Sequence, residues 1–227
     1  MQNSATSFLI VAILTLLWPA AALHAAAVRF ITLNDEIAAS KLSVRDSKTT
    51  TVLKDLSSQK RSMSYPCTLG KKPLLLVAVD RKDAEGKPAT VEIVFPPTMK
   101  SPLVVILPDP QHPTGLRVIA LDDSRTGFPW GSLRLFNASA ISLMIHYGSE
   151  EKALTDGDLP VDIIPGGEAR NVGVQLFKEK EPTEILYSAV WEHEPNVRKL
   201  IFIVPAVDTK TKAIELKIIP EDQRVKK

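Results

Sequence analysis

Short runs of apolar residues, each bounded by proline, glycine or charged residues, fill most of this chain. Several runs alternate: in AIELKII, residues 213–219, apolar and charged side chains take turns. Successive side chains of a β-strand point to opposite faces, so this alternation predicts strands with one packed and one solvated face. After the N-terminal segment no helical period is sustained, and the best helical candidate is the short stretch 34–42. The pattern predicts an all-β protein.

Two runs, PLLLVAV at 73–79 and LVVIL at 103–107, are apolar throughout and are typical of central strands in a β-sandwich. Proline occurs 17 times and mostly marks strand ends, because it cannot donate to a strand ladder. The predicted strands are 28–33, 42–46, 49–56, 61–69, 73–80, 90–95, 103–108, 116–123, 132–137, 141–148, 159–164, 171–179, 184–192, 199–205 and 213–222.

The two halves of the chain repeat one pattern. LVVILPDPQHPTGLRVIALDD aligns with LIFIVPAVDTKTKAIELKIIPED near the C-terminus, and the alignment extends back until Arg29 lies opposite Arg134. Strand–turn–strand patterns align easily, so chance similarity is the alternative. The agreement in order and spacing favours an internal duplication. We therefore predict two tandem immunoglobulin-like β-sandwich halves, 26–124 and 125–227, each with enough strands for that fold.

The joint between the halves would be DDSRTGFPWGS, residues 122–132. It contains turn-forming residues together with two bulky aromatic residues, Phe128 and Trp130. A free linker seldom carries such rings, so we expect both to pack between the halves.

The N-terminus has the pattern of a secretory signal peptide, which we assign to residues 1–25. An apolar run, Phe8–Trp18, is followed by Pro19 and then by small residues, with no charged side chain before Arg29. Cleavage is expected after Ala22 or Ala25, which would leave no transmembrane span. The alternative is an uncleaved anchor over 8–27, since about twenty apolar residues can span a bilayer.

Composition excludes some partners. There are 28 Lys and Arg residues against 26 Asp and Glu residues, without a basic cluster large enough to neutralise a phosphate backbone, so nucleic acid is not expected. Cys67 is the only cysteine. We interpret it as a small buried residue, with a reactive thiol or a bridge between two chains as the alternatives.

No arrangement of residues indicates catalysis, and no cofactor or metal is expected. The histidines at 112, 146 and 193 lack metal-ligand spacing, and the acids of TDGDLPVD, 155–162, lack the spacing of a calcium loop. His193, between two glutamates, is interpreted as a solvated strand end. Asn137-Ala138-Ser139 matches a glycosylation sequon, which matters only in a eukaryotic source.

The segment FPWGSLRLFNAS, 128–139, resembles one found in uncharacterised exported bacterial proteins, which share a Pro-Trp-Gly-Ser-x-Arg-x-x-Asn-like pattern. The later SAVWEHEPNVRKLIFIVP is similar to a second stretch of those proteins. The resemblance covers chiefly 128–222 and implies export, a β-sandwich and a bacterial source, with no known activity. Periplasmic pilus chaperones are similar in architecture only, because their characteristic basic residues are not found in matching motifs.

We therefore expect an exported, non-catalytic binding or structural accessory protein of the periplasm or cell surface. Its partner would be another envelope protein or a second copy of the chain. One alternative is a carbohydrate-binding or hydrolase accessory module, which would need an exposed aromatic platform. Another is a chaperone-like protein that acts by strand donation. The candidate interaction residues are Phe128, Trp130, Tyr147, Tyr187 and Trp191.

Overall fold

The computed structural model describes residues 24–69, 73–96, 98–157, 159–208 and 212–225. The predicted signal peptide therefore lies almost wholly outside the described residues. The described residues form one short helix, α1 (Asp35–Ala39), and sixteen strands. The strands are β1 (His24–Thr32), β2 (Leu42–Arg45), β3 (Thr50–Val52), β4 (Tyr65–Leu69), β5 (Leu74–Lys82), β6 (Pro88–Ile93), β7 (Pro102–Pro108), β8 (Leu116–Asp122), β9 (Leu133–Asn137), β10 (Leu143–Tyr147), β11 (Glu150–Leu154), β12 (Val161–Ile163), β13 (Arg170–Lys178), β14 (Glu181–His193), β15 (Val197–Pro205) and β16 (Ile214–Asp222).

The strands form four four-stranded sheets, two in each half, with the same strand order in both halves. The first half contains the sheets β4-β1-β7-β8 and β3-β2-β5-β6. The second repeats them as β12-β9-β15-β16 and β11-β10-β13-β14. Even the parallel pairing of β1 with β7 recurs between β9 and β15. The prediction of an all-β protein with two similar sandwich halves is confirmed.

Strand register supports the alignment that the sequence suggested. In the first half Arg29 lies opposite Leu103, and in the second Arg134 lies opposite Leu200. Leu103 in turn pairs with Leu121, and Leu200 with Ile219. Strands β1, β7 and β8 therefore have residue-by-residue counterparts in β9, β15 and β16 at these positions.

Three apolar cores are stacked through the molecule, one inside each half and one between the halves. Alternate residues of β7 serve two of them: Val104 and Ile106 face the core of the first half, whereas Leu103 and Val105 face the other half. The apolar run 103–107 is thus buried on both faces, and so is its counterpart in β15. The core between the halves is built from counterpart pairs: Ile31 with Phe136, Leu103 with Leu200, Val105 with Phe202, Leu107 with Val204, and Leu121 with Ile219.

The predicted elements differ from the structure in a few places. Strand β11 was missed, because its sequence EEKAL is mostly charged and lies at a sheet edge. Strand β1 begins at His24, within the segment assigned to the signal peptide. Helix α1 falls in the expected stretch, and Asn34 caps it by accepting a hydrogen bond from the backbone N–H of Ile37 at 2.9 Å. Among the described residues, no helix is long and apolar enough to cross a membrane.

Candidate functional site

The ring of Phe128 lies in the core between the halves, as expected, and two arginines enclose it. The guanidinium carbons of Arg134 and Arg198 lie 4.7 and 4.9 Å from the ring centroid. Arg198 also donates to the carbonyl of Phe128 at 2.8 Å and stacks over Trp130 at 4.9 Å. Arg134 donates to the carbonyls of Asp122 and Gly127, both at 2.6 Å. These contacts fix the joint, because stacked and hydrogen-bonded guanidinium groups are held in one geometry.

Beside the joint, two carboxylates and three arginines form a network between the halves. Asp123 accepts hydrogen bonds from Arg29 at 2.5 Å and from Arg61 at 2.8 and 3.1 Å. Glu221 accepts from Arg198 at 2.6 and 2.9 Å and lies 3.6 Å from both Arg29 and Arg61. The side chain of Asp123 is only 2% exposed. Buried charges of this kind need full pairing, and here they have it.

An open cleft of about 410 Å³ adjoins this network. Arg198, on its wall, directs its donors to Glu221 and to the carbonyls of Asp123 and Phe128. Trp130, also on the wall, has an indole N–H that is buried without a hydrogen-bond partner among the described residues. Because this N–H is covered and the guanidinium is already paired, we interpret the network as a structural lock between the halves rather than as a ligand site.

The other three candidate residues lie together in the core of the second half. Tyr147 and Trp191 are buried and Tyr187 is partly buried. Trp191 donates from its indole nitrogen to the Tyr187 hydroxyl at 2.9 Å. The Trp191 ring is tilted by 58° to both tyrosine rings. This cluster therefore lacks the exposed, coplanar rings of a sugar-binding platform.

Tyr187 and Trp191 belong to β14, which has 13 residues and pairs only with β13. Gly148 N–H donates to the carbonyl of Gly173, so the backbone of Gly173 faces β10. Its partner across from β14 is Val190. Hydrogen-bonded and non-hydrogen-bonded pairs alternate in an antiparallel ladder, so the backbone N–H and C=O of Ser188 and Val190 point away from the sheet. Ser188 and Val190 are also exposed, the latter by 68%.

The other sheet edges are less available to a partner. Strands β3 and β12 have three residues each, and β4 and β16 contain Pro66 and Pro220. Strand β11 is mostly charged, and β6 and β8 lie against each other. Short, charged or proline-containing edges resist strand addition. Strand β14 also contains Pro182, and its register with β13 is irregular before Tyr187. Its regular segment from Tyr187 to His193 has no proline, and this segment is the most available edge in the part of the chain that the structure describes.

His193, at the end of β14, was wrongly interpreted as solvated. Its side chain is buried, and the ring lies close to Gly131. Burial lowers the pKa of His193, and the nearby cation Arg170 lowers it further, although hydrogen bonds with the backbone of Gly167 and Gly166 oppose this. The flanking Glu192 faces solvent, as the alternation of strand side chains requires.

The remaining polar candidates have structural roles. Burial, aided by the nearby charge of Asp46, raises the pKa of the Cys67 thiol to about 11, so Cys67 is not a reactive thiolate. Asn137, in the formal sequon, is buried and donates to the carbonyls of Ile141 and Leu154, both at 2.7 Å. Asp162, from the acidic loop, pairs with Arg134 at 2.6 Å. Among the described residues no cluster of metal-ligating side chains is found.

No protein-family model matches the chain, and no curated protein matches its sequence. The resemblance of 128–139 to a segment of exported bacterial proteins therefore stays a prediction. In the structure Phe128, Arg134 and Asn137 of this segment are all buried, and Arg134 and Asn137 donate hydrogen bonds to the carbonyls of Gly127 and Leu154 outside it.

Proposed function

We propose that this chain is an exported, non-catalytic accessory protein of the cell envelope that binds another protein by strand addition at β14. The observation that carries the proposal is the open edge at Ser188 and Val190. Unpaired backbone groups at an edge strand can accept an extended segment of a partner through main-chain hydrogen bonds. Export is supported by the N-terminal pattern of apolar and small residues.

The exposed apolar side chains of β14 are a second reason to propose that a partner binds along this strand. Ile185 and Val190 are both more than half exposed. The residues that directly precede and follow β14 in the chain are charged. Natural proteins usually protect a long edge with lysine, proline or a bulge, because an open edge promotes aggregation. Strand β14 has such features only at its start, where Pro182 lies and the register with β13 is irregular. The part from Tyr187 onwards lacks them, which is consistent with a surface that is covered in its working state.

The carbohydrate-binding alternative is less well supported. It requires exposed coplanar rings, whereas Tyr147 and Trp191 are buried and tilted against each other. The chaperone-like alternative shares strand addition with the proposal and differs only in what the partner is. A homo-oligomer formed through β14 would also use this edge, and the experiments below separate it from a different partner.

Proline at position 190 tests the proposal directly. Val190→Pro removes an N–H that has no partner within the sheet, so it should block strand addition while leaving the β13–β14 ladder intact. The matched control is Val52→Pro. Leu53 N–H donates to the carbonyl of Leu42, so Val52 occupies the same kind of outward position on the edge strand β3, and it is 59% exposed.

The tagged protein and both variants are expressed in the native host, and bound envelope proteins are identified by mass spectrometry. The proposal predicts a stoichiometric partner with the wild type and with Val52→Pro, and its loss with Val190→Pro. Circular dichroism checks that both variants are folded. Retention of the partner by a folded Val190→Pro protein, or the absence of any partner with the wild type, would contradict the proposal.

A further inference from the structure

Each sandwich half has two sides along which an edge strand of one sheet faces an edge strand of the other sheet. In the first half one side is closed by contact between β6 and β8. The other is bridged by the Tyr65 hydroxyl, which donates to the carbonyl of Lys54 at 2.9 Å and accepts from its N–H at 2.7 Å. Asp46 adds a second link by accepting from the N–H of Thr68 at 2.7 Å. The core of the first half is thus covered on both sides.

The second half is covered on one side only. Strand β11 lies against β9 and β12 and closes that side, so the remaining edge strands, β14 and β16, share the opposite side. On that side β14 and β16, which are the counterparts of β6 and β8, make at most marginal contact with each other. Lys199 donates to the carbonyl of Glu192 at the far end of β14. Among the residues that the structure describes, no hydrogen bond joins residues 181–191 of β14 to residues 214–220 of β16.

Core side chains are therefore accessible along this opening, which we call the β14–β16 mouth. It is lined by apolar residues that pack on the core of the second half without being fully buried. Leu186, Tyr187 and Ala189 contribute from β14, and Leu216 contributes from β16. Ile218, which is on the same face of β16 as Leu216, is 40% exposed. A strand added at the β14 edge would place every second side chain over this mouth.

Charge argues against a second copy of β14 as that strand. The exposed charged residues of β14 are Glu181, Glu184 and Glu192, and the strand carries no lysine or arginine. Among the described residues, the side chains of the first two are paired, both with Lys178, at 3.5 and 2.7 Å. Antiparallel pairing of two such strands would bring acids close to acids, and like charges across a strand pair are destabilising. A partner with basic residues would instead be attracted.

Resting on the function proposed above, we infer that the β14–β16 mouth takes an extended segment of another protein in which apolar residues alternate with lysine or arginine. The apolar side chains would enter the mouth and complete the core of the second half. The basic side chains would lie on the outer face, towards Glu192. Main-chain bonds at Ser188 and Val190 would supply the rest of the affinity.

Synthetic peptides of one length test the inference against the purified protein by calorimetry. One alternates valine with lysine, one alternates valine with glutamate, and one contains the valines and lysines in two blocks. The inference predicts that the alternating basic peptide binds at least about tenfold more tightly than the other two, a difference of about 1.4 kcal/mol. Hydrogen exchange should show new protection at the amides of Ser188 and Val190.

Ile218→Lys tests the mouth itself, with Val79→Lys as the matched control because Val79 is 45% exposed on β5 of the first half. We expect Ile218→Lys to weaken binding of the alternating basic peptide at least tenfold, and Val79→Lys to leave it unchanged. Ile218→Ser gives a milder change if the lysine variant does not fold. Equal binding to wild type and Ile218→Lys would overturn the inference, and so would no binding of the basic peptide or preference for the acidic one.

Failure of this inference can be told apart from failure of the proposed function. If a native partner is lost with Val190→Pro but retained by Ile218→Lys, strand addition stands and the mouth is not occupied. If the wild type is instead a dimer that Val190→Pro converts to a monomer, the occupant is a second copy, and the inference about partner chemistry is wrong.

Discussion

Asp123 and Glu221 occupy counterpart positions at the ends of β8 and β16, and Arg29 lies 2.5 Å from the first carboxylate and 3.6 Å from the second. The equivalence follows from register, since Leu121 and Ile219 pair with the counterparts Leu103 and Leu200. Two copies of one acidic strand end thus meet at the seam and share their arginines. This network and the apolar core beside it explain why two similar halves form one unit.

Removing the acid at the centre of the network should destabilise the protein strongly. Asp123→Ala leaves Arg29, Arg61 and Arg198 with only Glu221 as a carboxylate partner in the network. Breaking a buried ion pair costs about 3–5 kcal/mol, and we expect a loss of that size in urea denaturation. The control is Glu85→Ala, which breaks the exposed Glu85–Lys87 pair and should change stability by less than about 1 kcal/mol. Similar effects for the two variants would contradict the role of the network.

The halves should unfold together. Phe202 lies in the core between the halves, in edge-to-face contact with its neighbour Phe136 at 5.9 Å. Phe202→Ala should cost about 3–5 kcal/mol and keep a single unfolding transition, because both halves lose packing at once. Calorimetry measures this, with Val207→Ala at an exposed loop position as the control. Two separate transitions, with only one of them shifted, would show that the halves are independent.

Stability should fall at mildly acidic pH because of His193. Burial lowers its pKa in the folded chain, so the unfolded chain takes up the proton at higher pH. The stability contributed by neutral His193 is fully present above the unfolded pKa of about 6.5 and is lost as pH falls through the lower folded pKa. Chemical denaturation measured from pH 7.5 downwards checks this. His193→Gln should flatten the decline, and an unchanged slope in that variant would assign it to other groups.

Cys67 should resist thiol reagents in the native state. It is buried, and its pKa of about 11 leaves almost no thiolate at neutral pH. A colorimetric disulfide reagent at pH 8 should therefore label the protein only after denaturant is added. Rapid labelling of the folded protein would show that Cys67 is accessible. It would then support the alternative of a disulfide bridge between two chains.

Much of the fold was predictable because strand patterns are local. Alternating runs predicted nearly every strand, and the match of 103–123 with 200–222 indicated two similar halves. The sequence pattern only partly indicated that the two halves pack against each other. The continuous apolar run 103–107 indicated burial on both faces, but a pattern cannot say what covers each face. The joint aromatic Phe128 was correctly expected between the halves.

The candidate site was harder to predict because an open strand edge is defined by the absence of a neighbouring strand, which no local sequence pattern shows. The openness of β14 depends on which strands lie beside it, and the mostly apolar run 185–191 within it does not show that one side is unpaired. The buried role of His193 was missed for the same reason, since its neighbours Glu192 and Glu194 suggested solvent. The arginine network had one sequence signal that was available: acids end both counterpart strands, at 122–123 and 221–222.

Binding of a protein partner along the β14 edge can be tested with a photo-crosslinking residue at position 188. Ser188 is exposed, with outward backbone groups, and Thr50 on the edge strand β3 is an exposed control position. After irradiation of native host cells that express these variants, we expect one dominant covalent adduct with a partner protein from position 188 and none from position 50. No adduct from position 188, or the same adducts from both positions, would contradict it.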